Sequence, residues 1–290
     1  MTFSSYTLSD GFLYGLLVSV MLFGCTLLQG WCYFRKNSDG WKLRILVSFI
    51  FVLSVTLACL GIAILRTLMI LSTKTADDAR STLLEVNRLI GIGFTLSGLL
   101  ACSVHVFFTR GIFLFTERRP IPLLIMFLTA LMFGAITCSF VQGLIISGSA
   151  RCDTKFQRIC VSAFHGLAIL TDGIITITFC SMFRGSKVVS VSTGTIDVVK
   201  RLFLYSITRG ALLGVIQIGH LIMYLNQPTE KFFAVPLYLI LDQLYAITTL
   251  IMLNGRPHLR DRMEDDHIGS LVFVQEPATL NTSHQESETA

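Results

Sequence analysis

The sequence predicts an all-α polytopic membrane protein with seven transmembrane helices. Three observations predict this fold class: the composition, the spacing of long apolar runs and the clustering of charges between those runs. The 290 residues are 53% hydrophobic and only 14% charged, whereas a soluble domain carries about 25% charged residues. With a mean hydropathy of +0.69, this composition excludes an ordinary soluble enzyme.

Seven apolar segments are each long enough to cross a hydrocarbon core about 30 Å thick, which takes about 20 helical residues. They lie at 12–34, 45–72, 89–116, 121–147, 161–183, 202–225 and 232–253. Together they predict one transmembrane domain over 12–253. Because no basic residue or small-residue cleavage motif precedes the first segment, we expect it to be a signal anchor that the mature protein keeps.

The distribution of Lys and Arg predicts the orientation of the chain. The connections on one side of the predicted membrane carry thirteen Lys and Arg residues, and those on the other side carry seven. An excess of basic residues marks cytoplasmic connections. We therefore expect residues 1–11 to lie outside the cell and residues 254–290, which are polar, to form a disordered cytoplasmic tail. The expected location is the plasma membrane.

One helix start is predicted from local sequence. Thr82 and Glu85 have the spacing of a capping box, in which each side chain accepts a hydrogen bond from an unpaired backbone N–H. This pattern predicts that the third helix begins near Thr82, before the membrane does.

Two acidic residues, Asp172 and Asp242, lie near the midpoints of predicted spans. An Asp at the centre of a transmembrane helix costs about 2.5–3.5 kcal/mol on insertion scales, so each should face the bundle interior and have a partner. Arg209 is the cation best placed to reach them. The sequence therefore predicts a triad of Asp172, Arg209 and Asp242.

Helical spacing adds neighbours to these charges. His165 and Asp172 share one helix face, as do Arg209 and His220, and the seventh helix carries a polar stripe that also includes Thr249. The candidate site residues are His165, Asp172, Arg209, Gln217, His220, Tyr238, Asp242 and Tyr245. They either line a cavity for a ligand or an ion, or form a buried hydrogen-bond network that fixes helix packing.

Two of the eight cysteines, Cys152 and Cys160, lie in or beside one connection on the predicted outer side. They can form a disulfide that closes a short loop, which would contribute about 2–3 kcal/mol, or remain two thiols. The sequence lacks the Cys and His spacing of a structural zinc site. We therefore expect no metal.

Sequence motifs indicate no enzyme activity and no cofactor. The chain has no HExxH, GxSxG or phosphate-binding glycine loop. Every Lys lies in a connection or at a span edge, which excludes a retinal Schiff base in the last helix. A receptor of the rhodopsin class would end its third helix with an acidic-Arg-Tyr triplet, but this chain has Thr109, Arg110 and Gly111.

Several short motifs resemble those of a large family of fungal, basidiomycete-type seven-helix membrane proteins whose C-terminal region is domain of unknown function 6534. The similar stretches are Thr171-Asp172-Gly173, 200–205 (KRLFLY), 244–246 (LYA), 253–256 (LNGR) and, in the first half, 24–34 (GCTLLQGWCYF). Residues 206–210 (SITRG) differ from the TINTG that this family usually has, so Arg209 is particular to this chain. The resemblance implies an architecture, with its C-terminal region at about 168–256, and no activity.

These observations favour a receptor-like or sensory protein that binds a small molecule and signals to a cytoplasmic partner. One alternative is a transporter coupled to protons or a solute, with Asp172 and Asp242 as the titrating groups. Another alternative is a non-catalytic membrane scaffold. The expected partners are the lipid bilayer, a small-molecule ligand and a cytoplasmic protein, without nucleic acid.

Overall fold

The computed structural model describes the backbone at residues 3–36, 40–73, 76–115, 120–146, 155–185, 193–226 and 234–274. Side chains are described at 11–36, 40–71, 73, 81–113, 120–142, 155–181, 207–226 and 234–255. The described part of the chain consists of seven α-helices. They are α1 (Phe3–Lys36), α2 (Trp41–Thr73), α3 (Ala76–Phe115), α4 (Pro120–Ile146), α5 (Lys155–Gly185), α6 (Thr193–Asn226) and α7 (Val235–Val274).

Each helix contains a segment that is long and apolar enough to cross a membrane. These segments are Gly11–Lys36, Trp41–Leu71, Ser81–Phe113, Pro120–Gln142, Lys155–Ser181, Ile207–Asn226 and Val235–Gly255. The seven spans predicted from the sequence are thus confirmed by length and composition, and the chain has the architecture of a multi-pass membrane protein. Side chains such as Met21 and Ile177 are 75% and 70% exposed on the outside of the bundle, where lipid would cover them.

Some helix ends differ from the sequence prediction. The helix α3 begins at Ala76, so Thr82 lies inside the helix and is buried rather than capping it. The predicted capping role of Thr82 is wrong because the chain is already helical six residues earlier. The prediction that the third helix begins before its membrane span is confirmed, since α3 begins at Ala76 and the span at Ser81.

The first and last helices are also longer than their predicted spans. The helix α1 begins at Phe3, inside the predicted outer segment. The helix α7 continues to Val274, so the first part of the region predicted as a disordered tail is helical, and 275–290 lie outside the described residues. Arg260 and Glu264 have the i,i+4 spacing that favours a helix, as do Arg262 and Asp266.

The last helix is the central element of the bundle. In the most apolar part of α7, 67% of the residues are buried, against 28–44% in the other spans. The helix packs against α1, α2, α3 and α6. A helix that is buried on most sides has no face to give to lipid, so the polar side chains of α7 must find partners within the protein.

Two glycines allow close contacts between helices. A Cβ at Gly15 in α1 would collide with the Cα and Cβ of Pro236 in α7, and a Cβ at Gly210 in α6 would collide with the side chain of Thr176 in α5. Gly214, one turn further along α6, has open space around it. Small residues let transmembrane helices approach closely, and Gly210 thereby sets the distance between α5 and α6 beside Arg209.

Candidate functional site

Four polar side chains from three helices meet around the carboxylate of Asp172, which lies on a fourth helix. We call this set the Asp172 cluster: His105 from α3, Asp172 from α5, Arg209 and Gln217 from α6, and Tyr245 from α7. All five side chains are buried. The cluster therefore ties together most of the helices that face the bundle interior.

Each oxygen of Asp172 has two neighbours. Oδ1 lies 3.3 Å from Nε2 of His105 and 3.5 Å from a terminal nitrogen of Arg209. Oδ2 accepts a hydrogen bond of 2.6 Å from the Tyr245 hydroxyl and one of 3.5 Å from the Gln217 amide. The Gln217 amide also contacts the Tyr245 hydroxyl. A carboxylate offers about four acceptor positions, and the cluster supplies four neighbours for them.

Arg209 is held on two sides. Its guanidinium lies beside Asp172, and its central carbon lies 3.8 Å from the centroid of the Phe108 ring. A cation over an aromatic face is attracted by the ring quadrupole, and this attraction is strongest where water is excluded. Arg209 is only 6% exposed, so its position depends on Asp172 and Phe108 together.

The helix positions explain why these residues meet. Arg209 and Gln217 are eight residues apart, so they lie on one face of α6 about two turns apart and reach Asp172 from either side. Both Asp172 and His105 lie in the later part of their spans, whereas Arg209 lies near the start of its span. Because neighbouring helices alternate in direction, these positions place the cluster toward the end of the bundle that contains the connection between α5 and α6.

The second intramembrane acid, Asp242, lies in a different environment. Its Oδ1 accepts a hydrogen bond from the Ser97 hydroxyl in α3. The Tyr238 hydroxyl lies close to both residues, yet neither it nor Oδ2 of Asp242 has an aligned hydrogen-bond partner. We call Ser97, Tyr238 and Asp242 the Asp242 group. No cation forms an ion pair with it among the side chains that the structure describes.

A glycine makes room for the Asp242 group. A Cβ at Gly93 in α3 would lie 2.8 Å from the Tyr238 hydroxyl oxygen. Gly93 and Ser97 are one turn apart on α3, and Tyr238 and Asp242 are one turn apart on α7. Two matched pairs of residues therefore face each other across the contact between α3 and α7.

Two histidines form a third polar feature. The rings of His165 in α5 and His220 in α6 lie 4.2 Å apart between centroids, and both residues are fully buried. None of their four ring nitrogens has a hydrogen-bond partner within the described part of the chain. Phe94 contacts both His220 and Tyr238, so it separates the histidines from the Asp242 group.

The structure changes the predicted triad into a pair. Arg209 contacts Asp172, whereas no ion pair joins it to Asp242 within the described residues. The reason is the position of each residue along α7. Tyr245 lies nearly one turn beyond Asp242 and contacts Asp172, whereas Asp242 contacts Ser97. The predicted stripe on α7 is buried along its length, from Tyr238 through Thr249.

The eight predicted site residues thus fall into three sets. Asp172, Arg209, Gln217 and Tyr245 meet in the Asp172 cluster; Tyr238 and Asp242 meet in the Asp242 group; His165 and His220 contact each other. For the predicted disulfide, Cys160 is a free thiol in the structure and Cys152 lies outside the described residues, so the bridge stays a prediction.

Sequence reasoning missed three contributors: His105, Ser97 and Phe108. Ser97 and His105 are eight residues apart on α3, so their shared face was a signal that could have been used. Phe108 carried no signal, because an aromatic residue in an apolar span is usually a packing residue.

The site is described by the side chains that it brings together. Within the described residues, no three His, Cys, Asp or Glu side chains are grouped as metal ligands. The Asp172 cluster can hold a charge pair out of water and can exchange hydrogen bonds among four helices. It is suited to fixing the relative positions of those helices.

One comparison with known proteins finds a similarity over part of the chain. A family of unknown function (DUF6534) matches residues 168–258. This region contains four of the five residues of the Asp172 cluster; His105 lies before it. No curated protein and no solved structure matches the chain.

Proposed function

We propose that this protein is a receptor-like or sensory membrane protein in which movement around the Asp172 cluster carries a signal to a cytoplasmic partner. The observation that carries the proposal is the contact of one carboxylate with partners on three other helices. If any one of α3, α5, α6 and α7 moves, hydrogen bonds to Asp172 must break or exchange. Packed elements held in this way tend to have discrete arrangements rather than continuous ones.

The proposed orientation of the chain implies that the signal passes from the outside of the cell to the cytoplasm. The excess of basic residues favours an N-terminus outside the cell and a cytoplasmic end at the connection between α5 and α6. In this orientation the Asp172 cluster lies toward the cytoplasm. The proposed location is the plasma membrane, and the proposed relatives are the fungal seven-helix proteins that the sequence resembles. We propose no catalytic activity, because the sequence contains no complete catalytic motif.

The proposal is tested by rescue of cells that lack the protein. We expect the intact chain to restore the phenotype. A chain without residues 275–290 should fail to do so although it reaches the membrane in normal amounts. The Asp172→Asn variant should also fail when its expression is adjusted so that its amount in the membrane equals that of the intact chain. Gly214→Ala is the matched control, because a side chain at Gly214 meets open space. Full rescue by a chain that lacks the tail and has altered inner connections would contradict the proposal.

A transporter is the second candidate, and the Asp242 group favours it. Asp242 is buried beside hydroxyl groups without a described cation, which is how a group that binds and releases a proton would be placed. Purified protein in liposomes with an imposed pH gradient tests this candidate by proton flux. Flux that Asp242→Asn abolishes would favour a transporter, whereas no flux from either protein would argue against one.

A further inference from the structure

A cavity lies between α2 and α3, apart from the three polar sets described above. Its volume is about 390 Å³, within the range of about 300–1,000 Å³ typical of small-molecule sites. The lining residues are Ala63, Arg66, Thr67, Ile70, Thr82, Glu85 and Leu89. The lining thus combines one cation, one anion, two hydroxyl groups and three apolar side chains.

The two charges in this cavity do not neutralise each other. Arg66 on α2 and Glu85 on α3 line the same space, but no ion pair joins them or links either one to another described residue. Opposite charges that share a cavity without contact leave room for a ligand that carries both charges. Such a ligand would place its anionic group at Arg66 and its cationic group at Glu85.

The depth of the cavity limits the ligand further. Arg66 lies five residues before the end of its span, and Glu85 lies four residues after the start of its span. At 1.5 Å per residue, both charges are about 6–8 Å inside the same end of the bundle. This is the opposite end from the Asp172 cluster. The two spans of 31 and 33 residues are about as long as a bilayer with its headgroups is thick, about 40–45 Å, so charges at this depth would lie where polar headgroups meet acyl chains.

We infer that this cavity binds a small zwitterion, with an anionic phosphate or carboxylate at Arg66 and an ammonium group at Glu85. The guanidinium offers a fork of donors that fits either anionic group. Thr67 donates its hydroxyl to the carbonyl of Ala63, so its remaining oxygen lone pair is available to an ammonium group. The same chemistry occurs in a soluble zwitterion and in the headgroup of phosphatidylethanolamine.

The site and the proposed signalling function can fail independently, because binding is measured without signalling. Phosphoethanolamine is the soluble probe, and isothermal titration of the full chain in a non-ionic detergent gives its affinity. We expect Arg66→Gln and Glu85→Gln each to weaken binding at least tenfold. Arg88→Gln, an exposed Arg on α3 outside the cavity lining, is the matched control and should bind as the wild type does.

Two further measurements separate charge recognition from general packing. Ethanolamine and methyl phosphate each carry one of the two charged groups, and we expect each to bind at least tenfold more weakly than phosphoethanolamine. The charge-swapped variant, Arg66→Glu with Glu85→Arg, keeps both charges and should bind within tenfold of the wild type. If the swapped variant folds and binds as weakly as the single variants, the two-charge account is wrong.

The lipid source is tested in nanodiscs of phosphatidylglycerol that contain phosphatidylethanolamine as a minor component. Retention of phosphatidylethanolamine by the wild type and its loss from Arg66→Gln and Glu85→Gln, without binding of phosphoethanolamine, would identify the lipid as the ligand. If neither the soluble probe nor the lipid distinguishes the wild type from these two variants, the inference is overturned. Arg66 and Glu85 would then be charges that only extend toward the membrane surface.

Discussion

The two buried acids occupy opposite kinds of environment within one bundle. Asp172 is surrounded by a guanidinium, an imidazole, an amide and a phenol. Asp242, on α7, has one aligned hydrogen-bond partner, the Ser97 hydroxyl. The same residue type therefore has two different roles. Asp172 joins helices through an ion pair with Arg209, while Asp242 has no cation beside it among the described side chains.

The difference follows from what each helix places opposite the acid. The face of α6 presents Arg209 and Gln217 to Asp172, because they are eight residues apart. The face of α3 presents Gly93 and Ser97 to Asp242, with no charge. We therefore expect substitutions around Asp172 to destabilise the fold and matched substitutions around Asp242 to have little effect.

The largest effect is expected for Asp172→Asn. This change leaves Arg209 as a buried cation without its counter-ion, and removal of one partner of a buried pair costs about 3–5 kcal/mol. The free energy of unfolding of detergent-purified protein, measured by denaturant titration, checks the prediction. A loss below about 1 kcal/mol would show that Arg209 is stabilised by other groups.

The two tyrosines of α7 provide a matched pair. The Tyr245 hydroxyl donates to Asp172, and hydrogen bonds to charged groups contribute about 1.5–3 kcal/mol. We expect Tyr245→Phe to lower the free energy of unfolding by about that amount. Tyr238→Phe removes a hydroxyl without an aligned partner and should change it by less than about 0.5 kcal/mol. Equal losses in the two variants would remove the distinction between the two acids.

Two glycines of α6 test the packing beside Arg209. Gly210→Ala would place a Cβ against the side chain of Thr176 and push α6 away from α5, at an expected cost of about 1–3 kcal/mol. Gly214→Ala meets open space and should not destabilise the protein. The comparison uses the thermal midpoint of each purified variant. Identical midpoints would mean that the close approach at Gly210 has no role in positioning Arg209.

The smallest effect is expected for Asp242→Asn. The amide oxygen can still accept a hydrogen bond from Ser97, and the variant no longer buries an acid. We therefore expect the free energy of unfolding either to rise or to decrease by less than about 0.5 kcal/mol. Denaturant titrations of Asp242→Asn and Asp172→Asn, run in parallel, provide the measurement. A loss as large as that of Asp172→Asn would show that Asp242 is also held by a charge partner.

The sequence was sufficient for the seven spans, because insertion of a helix into lipid depends on length and hydropathy. It also identified Asp172, Arg209 and Tyr245, since charges and polar stripes within apolar segments must face the interior. The sequence could not show which residue of α7 contacts Asp172, because the relative rotation and depth of α5 and α7 decide whether Asp242 or Tyr245 faces it.

Other features depend on packing across helices that no local pattern records. His105 shares a face of α3 with Ser97, but its contact with Asp172 became visible only when α3 lay beside α5. The cavity between α2 and α3 likewise depends on the distance between Arg66 and Glu85, which are nineteen residues apart in the sequence.

A double-mutant cycle of Asp172→Asn and Arg209→Gln tests most directly that the Asp172 cluster is a charge-dependent lock between helices. The cycle compares the unfolding free energies of the wild type, both single variants and the double variant. We expect a coupling energy above about 1 kcal/mol, with the double variant more stable than the sum of the single losses predicts, since contacting residues couple by about 0.5–3 kcal/mol. Additive losses would show that Asp172 and Arg209 act independently and would contradict this account.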